Sequence, residues 1–119
     1  VADLRDLEAK VEKAMAIRGA RYIHVLVPCP LGWGSASKDT ILLARLAQQS
    51  GLFPVFEAEF GEVTAVLPIR RRVPVTEYLQ PQKRYAHLFG QTPDTETIER
   101  IQAQADRNLS RYHIDEVEI

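Results

Sequence analysis

Leu4, Leu7, Val11 and Ala14 or Met15 recur at intervals of three and four, which places them on one stripe of a helix. Asp3 or Asp6 stands near its start as a cap, and Gly19 suits the position just past its end. The run Tyr22–Val27 breaks that period. It is apolar apart from His24 and rich in β-branched and aromatic residues, so it predicts a strand buried on both faces, and Pro28 lacks the N–H needed to extend it. Helical spacing returns from Lys38 or Asp39 to Ser50, through Ile41, Leu42, Ala44 or Arg45, Leu46 and Ala47, with Ser37 or Asp39 as the cap and Gly51 as the stop. VFEAEF and VTAVLP then flank Gly61-Glu62, and Gly in the first position of such a link predicts a type II′ hairpin. Pro68 to Gly90 carries three prolines and no clean period. It predicts an extended arm with one turn of helix near Tyr78, lying on some other surface. Thr92-Pro93-Asp94 opens a last helix, capped by Thr95 or Asp94, with Ile98, Ile101, Ala105 and Leu109 on one face.

The expected fold class is α/β: helix, buried strand, helix, β-hairpin, extended arm and terminal helix. Residues 1–67 form the α/β part and 68–119 the arm and terminal helix of one segment. At 119 residues and 45% hydrophobic, the chain is long enough for a single modest core. Fifteen basic residues against sixteen acidic ones leave a net charge of −1, so no overall field draws the chain to nucleic acid or an anionic membrane. No apolar run approaches the roughly 20 residues that cross a bilayer, and VADLRDLEAK has neither a basic nor an apolar leader region. A cytoplasmic location is the expectation, in keeping with a single cysteine that can form no internal disulfide.

That cysteine, Cys29, lies between Pro28 and Pro30 at the end of the apolar run, ahead of Gly32-Trp33-Gly34. Ligands of open α/β sheets collect at the carboxyl ends of strands, and Cys29 occupies such a place. The plain alternative is a buried, inert thiol, since free cysteine behaves as a small hydrophobe. A nucleophile would need a base, and none is near, because His24 sits five residues back within the run. A phosphatase-type loop would need arginine at position 35, which is serine, and a CxxC pair would need cysteine at position 32, which is glycine. No catalytic residue is assigned. A metal or cluster ligand completed by thiolates from elsewhere is the remaining chemistry.

The run YIHVLVPCPLGWG, followed by ILLARLAQQSGLFPVFEAEFGE and VPVTEYLQPQKRYAHL, resembles the later part of the β, thiamine-diphosphate-binding subunit of 2-oxoacid:ferredoxin oxidoreductases, the family that includes pyruvate:ferredoxin oxidoreductase. The likeness extends from the first helix to His87. It implies the C-terminal part of a thiamine-diphosphate-binding α/β domain, in an enzyme that decarboxylates a 2-oxoacid oxidatively to an acyl-coenzyme A and passes electrons through 4Fe–4S clusters to ferredoxin. It also implies that Cys29 is the fourth thiolate of the cluster near the thiamine diphosphate, with the other three on an earlier part of the subunit. On this reading Gly32 and Gly34 let backbone approach the cluster, and Trp33 either screens it from water or belongs to the core.

The chain has no Gly-Asp-Gly run followed by asparagine for the diphosphate and its Mg, and no CxxC for the other cluster ligands. It should therefore be inactive alone and depend on other subunits of the complex, with the 2-oxoacid, coenzyme A and ferredoxin as the partners of the whole. A start at Val within a helix suits a fragment better than a separately encoded piece. The competing reading is a non-catalytic assembly module without cofactor. Smaller expectations complete the picture. Arg70, Arg71 and Arg72 should be solvated or paired with carboxylates, Glu57 and Glu59 exposed, and His24, His87 and His113 too scattered to bind a metal. Gln82, Arg84 and Tyr85 match a stretch of the family's arm that packs between subunits.

Overall fold

The structure of the chain is a computed structural model, and it describes residues 1–114. Its core is built by two long helices and the proline-rich arm that runs between them. The helix Thr40–Gln49 (α3) buries Leu43, Ala44, Leu46 and Ala47, one face of two turns. Its start differs from expectation: Ser37–Asp39 form a short 3-10 turn, neither Ser37 nor Asp39 caps by its side chain, and the Thr40 hydroxyl donates to the Ser37 carbonyl at 2.8 Å. The C-terminal helix, Thr95–Arg111, is capped as predicted. Asp94 accepts from the Thr97 amide at 3.0 Å, and this bond holds its carboxyl below the usual carboxylate range. Ala105 and Leu109 of that helix are buried, with Ile98 and Ile101 packed against the core.

The arm does not lie on another surface. Val73, Val75, Tyr78, Leu79 and Leu88 are buried in the same cluster as the α3 residues, and Leu79 and Leu88 are only 1% and 2% exposed. Burying a valine or leucine contributes about 1.5–3 kcal/mol relative to exposure, so the four such side chains here outweigh any surface ion pair in fixing the arm. The expected turn of helix near Tyr78 spans Val75–Leu79, and a 3-10 stretch follows at Lys83–Phe89. Two backbone amides of the arm find partners on the long helices. Val73 donates to the Gln49 carbonyl at 3.2 Å and Val75 to Gln102 Oε1 at 3.0 Å.

The hairpin pairs Phe56–Glu59 (β1) antiparallel with Glu62–Val66 (β2), with an irregularity between Glu57 and Ala58. Its turn is one residue earlier than predicted. Phe60 and Gly61 occupy it with φ of 53° and 86°, and positive values at both central positions make a type I′ turn rather than II′. The strands twist correctly either way, and Phe60 is left fully exposed at the tip. Phe56 stacks on Tyr112 with ring centroids 4.3 Å apart, tying the hairpin to the end of the C-terminal helix.

The N-terminal helix, Leu4–Ala16 (α1), is capped by Asp3, whose carboxylate accepts from the Asp6 amide, but it buries none of its own residues. It ends at Ile17, whose amide bonds to the Ala14 carbonyl, so Gly19 lies beyond the helix and does not terminate it. Charge holds it to the hairpin. Lys13 Nζ donates to Glu57 Oε2 at 2.6 Å and lies 3.4 Å from Glu59 Oε1, so the two glutamates are half-buried and paired, not the exposed groups expected.

Tyr22–Val27 is not a strand in this structure. The only sheet among the described residues is the β1–β2 pair, and the run has no neighbouring strand with which to form a ladder. Tyr22 is 85% exposed and Val27 58%. Hydrophobic pattern identified a segment suited to burial, but a strand also needs a partner backbone. A groove of about 900 Å³ separates this run and α1 from the hairpin, lined by apolar side chains including Leu7, Ile23, Leu26, Phe53, Phe56 and Tyr112.

Candidate functional site

Cys29 stands where the extended run meets the helical turn Pro30–Trp33 (α2), as the residue before its first position. Pro30 at the first helical position needs no hydrogen-bond partner and fixes the backbone as the turn begins. The Trp33 amide donates back to the Cys29 carbonyl at 3.0 Å, closing the turn, and Ser35 N donates to the Pro30 carbonyl at 3.1 Å. The thiol is free and exposed. A buried, inert cysteine is therefore not what the fold makes of it; Pro28 takes the buried position beside it.

The glycines on either side of Trp33 have different roles. A Cβ on Gly32 would sit 3.6 Å from Cys29 Sγ, an ordinary contact. Gly34 is required by its neighbours. It adopts φ of 64°, and a Cβ there would stand 2.7 Å from Lys83 Cβ. The close approach that Gly34 permits is thus to the chain's own arm, and the Lys83 amide donates to the Gly34 carbonyl at 3.2 Å across the same junction. Among the described residues, Ser35 Oγ beside this junction is the one buried side-chain polar atom without a hydrogen-bond partner.

Trp33 is half-buried under the guanidinium of Arg84, whose central carbon lies 3.9 Å from the indole centroid and 4.7 Å from that of Tyr85. The same guanidinium donates from Nε to Gln82 Oε1 at 2.9 Å and from Nη2 to the Tyr78 hydroxyl at 3.3 Å. Gln82 is completely buried, and its amide donates to the Tyr78 carbonyl at 2.5 Å. Burial pushes the Tyr78 hydroxyl above its ordinary pKa, with Arg84 opposing that shift, so the phenol stays neutral and able to accept. Gln82, Arg84 and Tyr85 therefore join the Cys29 turn to the core. Sequence reading placed these three in the arm but missed their partner, because Trp33 and Arg84 are far apart in the chain and share no periodic signal.

The remaining candidates do not gather around Cys29. Arg72 pairs with Asp106 at 2.5 Å and Arg71 with Glu77 at 3.9 Å, as the paired reading of the arginine run expected. His24 packs edge-on against Phe53, with centroids 5.2 Å apart. Among the described residues no three His, Cys, Asp or Glu side chains are grouped so as to hold a metal ion. Cys29 is not among the residues that line the apolar groove. No helix among the described residues is long and apolar enough to cross a membrane.

No protein-family model matches the chain. Individual proteins do. It is 44% identical to pyruvate synthase subunit PorB of Methanosarcina barkeri over 92% of its length and 37% of that protein's. It is 46% identical to the PorB subunit of Methanocaldococcus jannaschii over 85% of its length and 32% of that protein's. Ketoisovalerate oxidoreductase subunit VorB of Pyrococcus furiosus is 33% identical over 84% of the chain and 32% of that subunit. The chain thus spans about a third of the length of the curated relatives it matches.

Proposed function

We propose, for a chain that belongs to the same family as the B subunits of pyruvate synthase and ketoisovalerate oxidoreductase, that it is the C-terminal part of the thiamine-diphosphate-binding subunit of a 2-oxoacid:ferredoxin oxidoreductase. In that role Cys29 contributes one thiolate to a 4Fe–4S cluster whose other ligands, like those of thiamine diphosphate and Mg, lie outside this chain. The whole assembly converts a 2-oxoacid and coenzyme A to an acyl-coenzyme A and carbon dioxide, with two electrons leaving through clusters to ferredoxin. The observation that carries the reading is the match to 2-oxoacid oxidoreductase subunits over nearly the whole chain. The donor set is chemically compatible with it: a single exposed thiol, with no group of three His, Cys, Asp or Glu side chains among the described residues to hold a metal, suits a cluster completed from elsewhere.

When bound, thiamine diphosphate supplies carbanion stabilisation and the cluster accepts electrons singly. The part left to this chain is positional. Cys29 presents its sulfur from a turn closed by the Trp33 amide and stiffened by Pro30, so the thiolate needs little reorganisation to serve as a ligand. Cys29→Ser in the complete complex tests the assignment. Thiamine diphosphate should stay bound, while iron and acid-labile sulfide fall and the EPR signal of one cluster is lost or altered. Unchanged iron content and an unchanged signal would sink the ligand assignment and leave the assembly-module reading in its place.

A further inference from the structure

Resting on the cluster-ligand reading of Cys29, we infer that Arg84 is a positioning residue: its guanidinium, stacked on Trp33 and tied to the buried Gln82, clamps the turn that presents the Cys29 thiolate. The turn Pro30–Trp33 is only four residues long and buries none of them, so it cannot hold its own shape by packing. Two junctions with the arm supply what it lacks. At Gly34 the backbones meet through the Lys83 amide. At Trp33 the guanidinium covers the indole at 3.9 Å, with Tyr85 4.7 Å from the same carbon.

The guanidinium is itself held. Nε bonds to Gln82 Oε1 and Nη2 to the Tyr78 hydroxyl, and both residues are buried, Gln82 completely. The constraint therefore runs from the core through Gln82 and Tyr78 to Arg84, on to Trp33, and by the Trp33 amide to the Cys29 carbonyl. Lysine could supply the charge but not this fork, because a planar group with fixed donors is needed to stack on a ring and bond two partners at once. Groups that orient a metal ligand from behind in this way typically change metal affinity by about 10–100-fold when removed.

The test uses the assembled complex and three variants: Arg84→Met, which keeps the bulk of the side chain without charge or donors, Arg84→Lys and Trp33→Phe. The clamp predicts that Arg84→Met gives up iron at about one-tenth of the chelator concentration that wild type requires, the low end of that range. It also predicts faster exchange of the Trp33 amide, broadening of the EPR signal that Cys29→Ser alters, and unchanged signals from the other clusters. Arg84→Lys and Trp33→Phe should fall between. Should Arg84→Met fail to assemble, the two milder variants carry the same readouts. Wild-type iron release and amide exchange in all variants that assemble would overturn the clamp. If Cys29→Ser still alters a cluster, that result leaves the ligand reading intact; if Cys29→Ser changes nothing, the ligand reading falls first and the clamp with it.

Discussion

Gly34→Ala should be far more damaging than the same change at Gly61, although both glycines have positive φ, 64° and 86°. A non-glycine residue in the left-handed region costs about 1–2 kcal/mol on backbone grounds alone. At Gly61 nothing lies within 4 Å of the position a Cβ would take, so that cost is the whole effect. At Gly34 the new methyl would meet Lys83 Cβ at 2.7 Å, Cγ at 3.2 Å and Cδ at 3.4 Å. The nearest of these atoms is fixed to the arm's backbone, so swinging the lysine away does not relieve it. Overpacking of that kind adds about 1–3 kcal/mol, for a total of about 2–5 kcal/mol. Urea unfolding followed by circular dichroism gives the comparison, as a fall in midpoint at constant slope. The double variant Gly34→Ala/Lys83→Gly should cost less than the sum of its parts, because it removes the colliding atom. Equal losses at Gly34 and Gly61, or strict additivity in the double variant, would refute the close packing of the Cys29 turn on the arm.

Leu88→Ala removes a side chain that is 2% exposed, and it should cost about 2–5 kcal/mol, whereas an arm resting on a foreign surface would show almost no loss in the isolated chain. The contact of α1 with the hairpin should depend on pH. A hydrogen bond from Lys13 holds the Glu57 carboxyl below its ordinary value of 4.5. A depressed carboxyl contributes stability above its unfolded pKa and loses it as pH falls through the folded value, so amide protection in α1 should drop on acidification below about pH 4.5. Lys13, raised above 10.5 chiefly by its hydrogen bond to Glu57, contributes below that value and loses its contribution as pH rises through the folded pKa. Lys13→Met should flatten both limbs of the profile, and a profile unchanged by that substitution would disprove the link.

The α/β character, the hairpin and the three long helices were legible in the sequence because each rests on local signals of period and turn residues, with Asp3 and Asp94 capping as expected but Ser37 or Asp39 not capping by side chain and Gly19 lying past its helix. The same signals misplaced the hairpin turn by one residue, since Gly61 serves a type I′ turn as readily as a II′ turn and the choice depends on Phe60 tolerating a positive φ. The family was legible from the order of the segments around Cys29. Two failures came from the same cause, which is that pattern reports a need for burial without naming the partner. Tyr22–Val27 has the composition of an inner strand but no neighbour here to pair with, while the arm lacks any period yet places five side chains in the core. The junction of Trp33 with Arg84 had no sequence signal at all, because a planar cation over a ring is a tertiary contact between two short helical turns far apart in the chain.

The unpaired run at 22–27 has a consequence for the chain on its own. It offers Tyr22, Ile23, Val25 and Val27, all more than a third exposed, along a backbone with no sheet neighbour among the described residues. Its β-branched, uncharged composition, free of proline until Pro28, is that of a segment that templates strands on copies of itself. The isolated chain, soluble when dilute, should aggregate on concentration with a rise in cross-β signal, and Val25→Lys should suppress it while leaving the arm and both core helices folded.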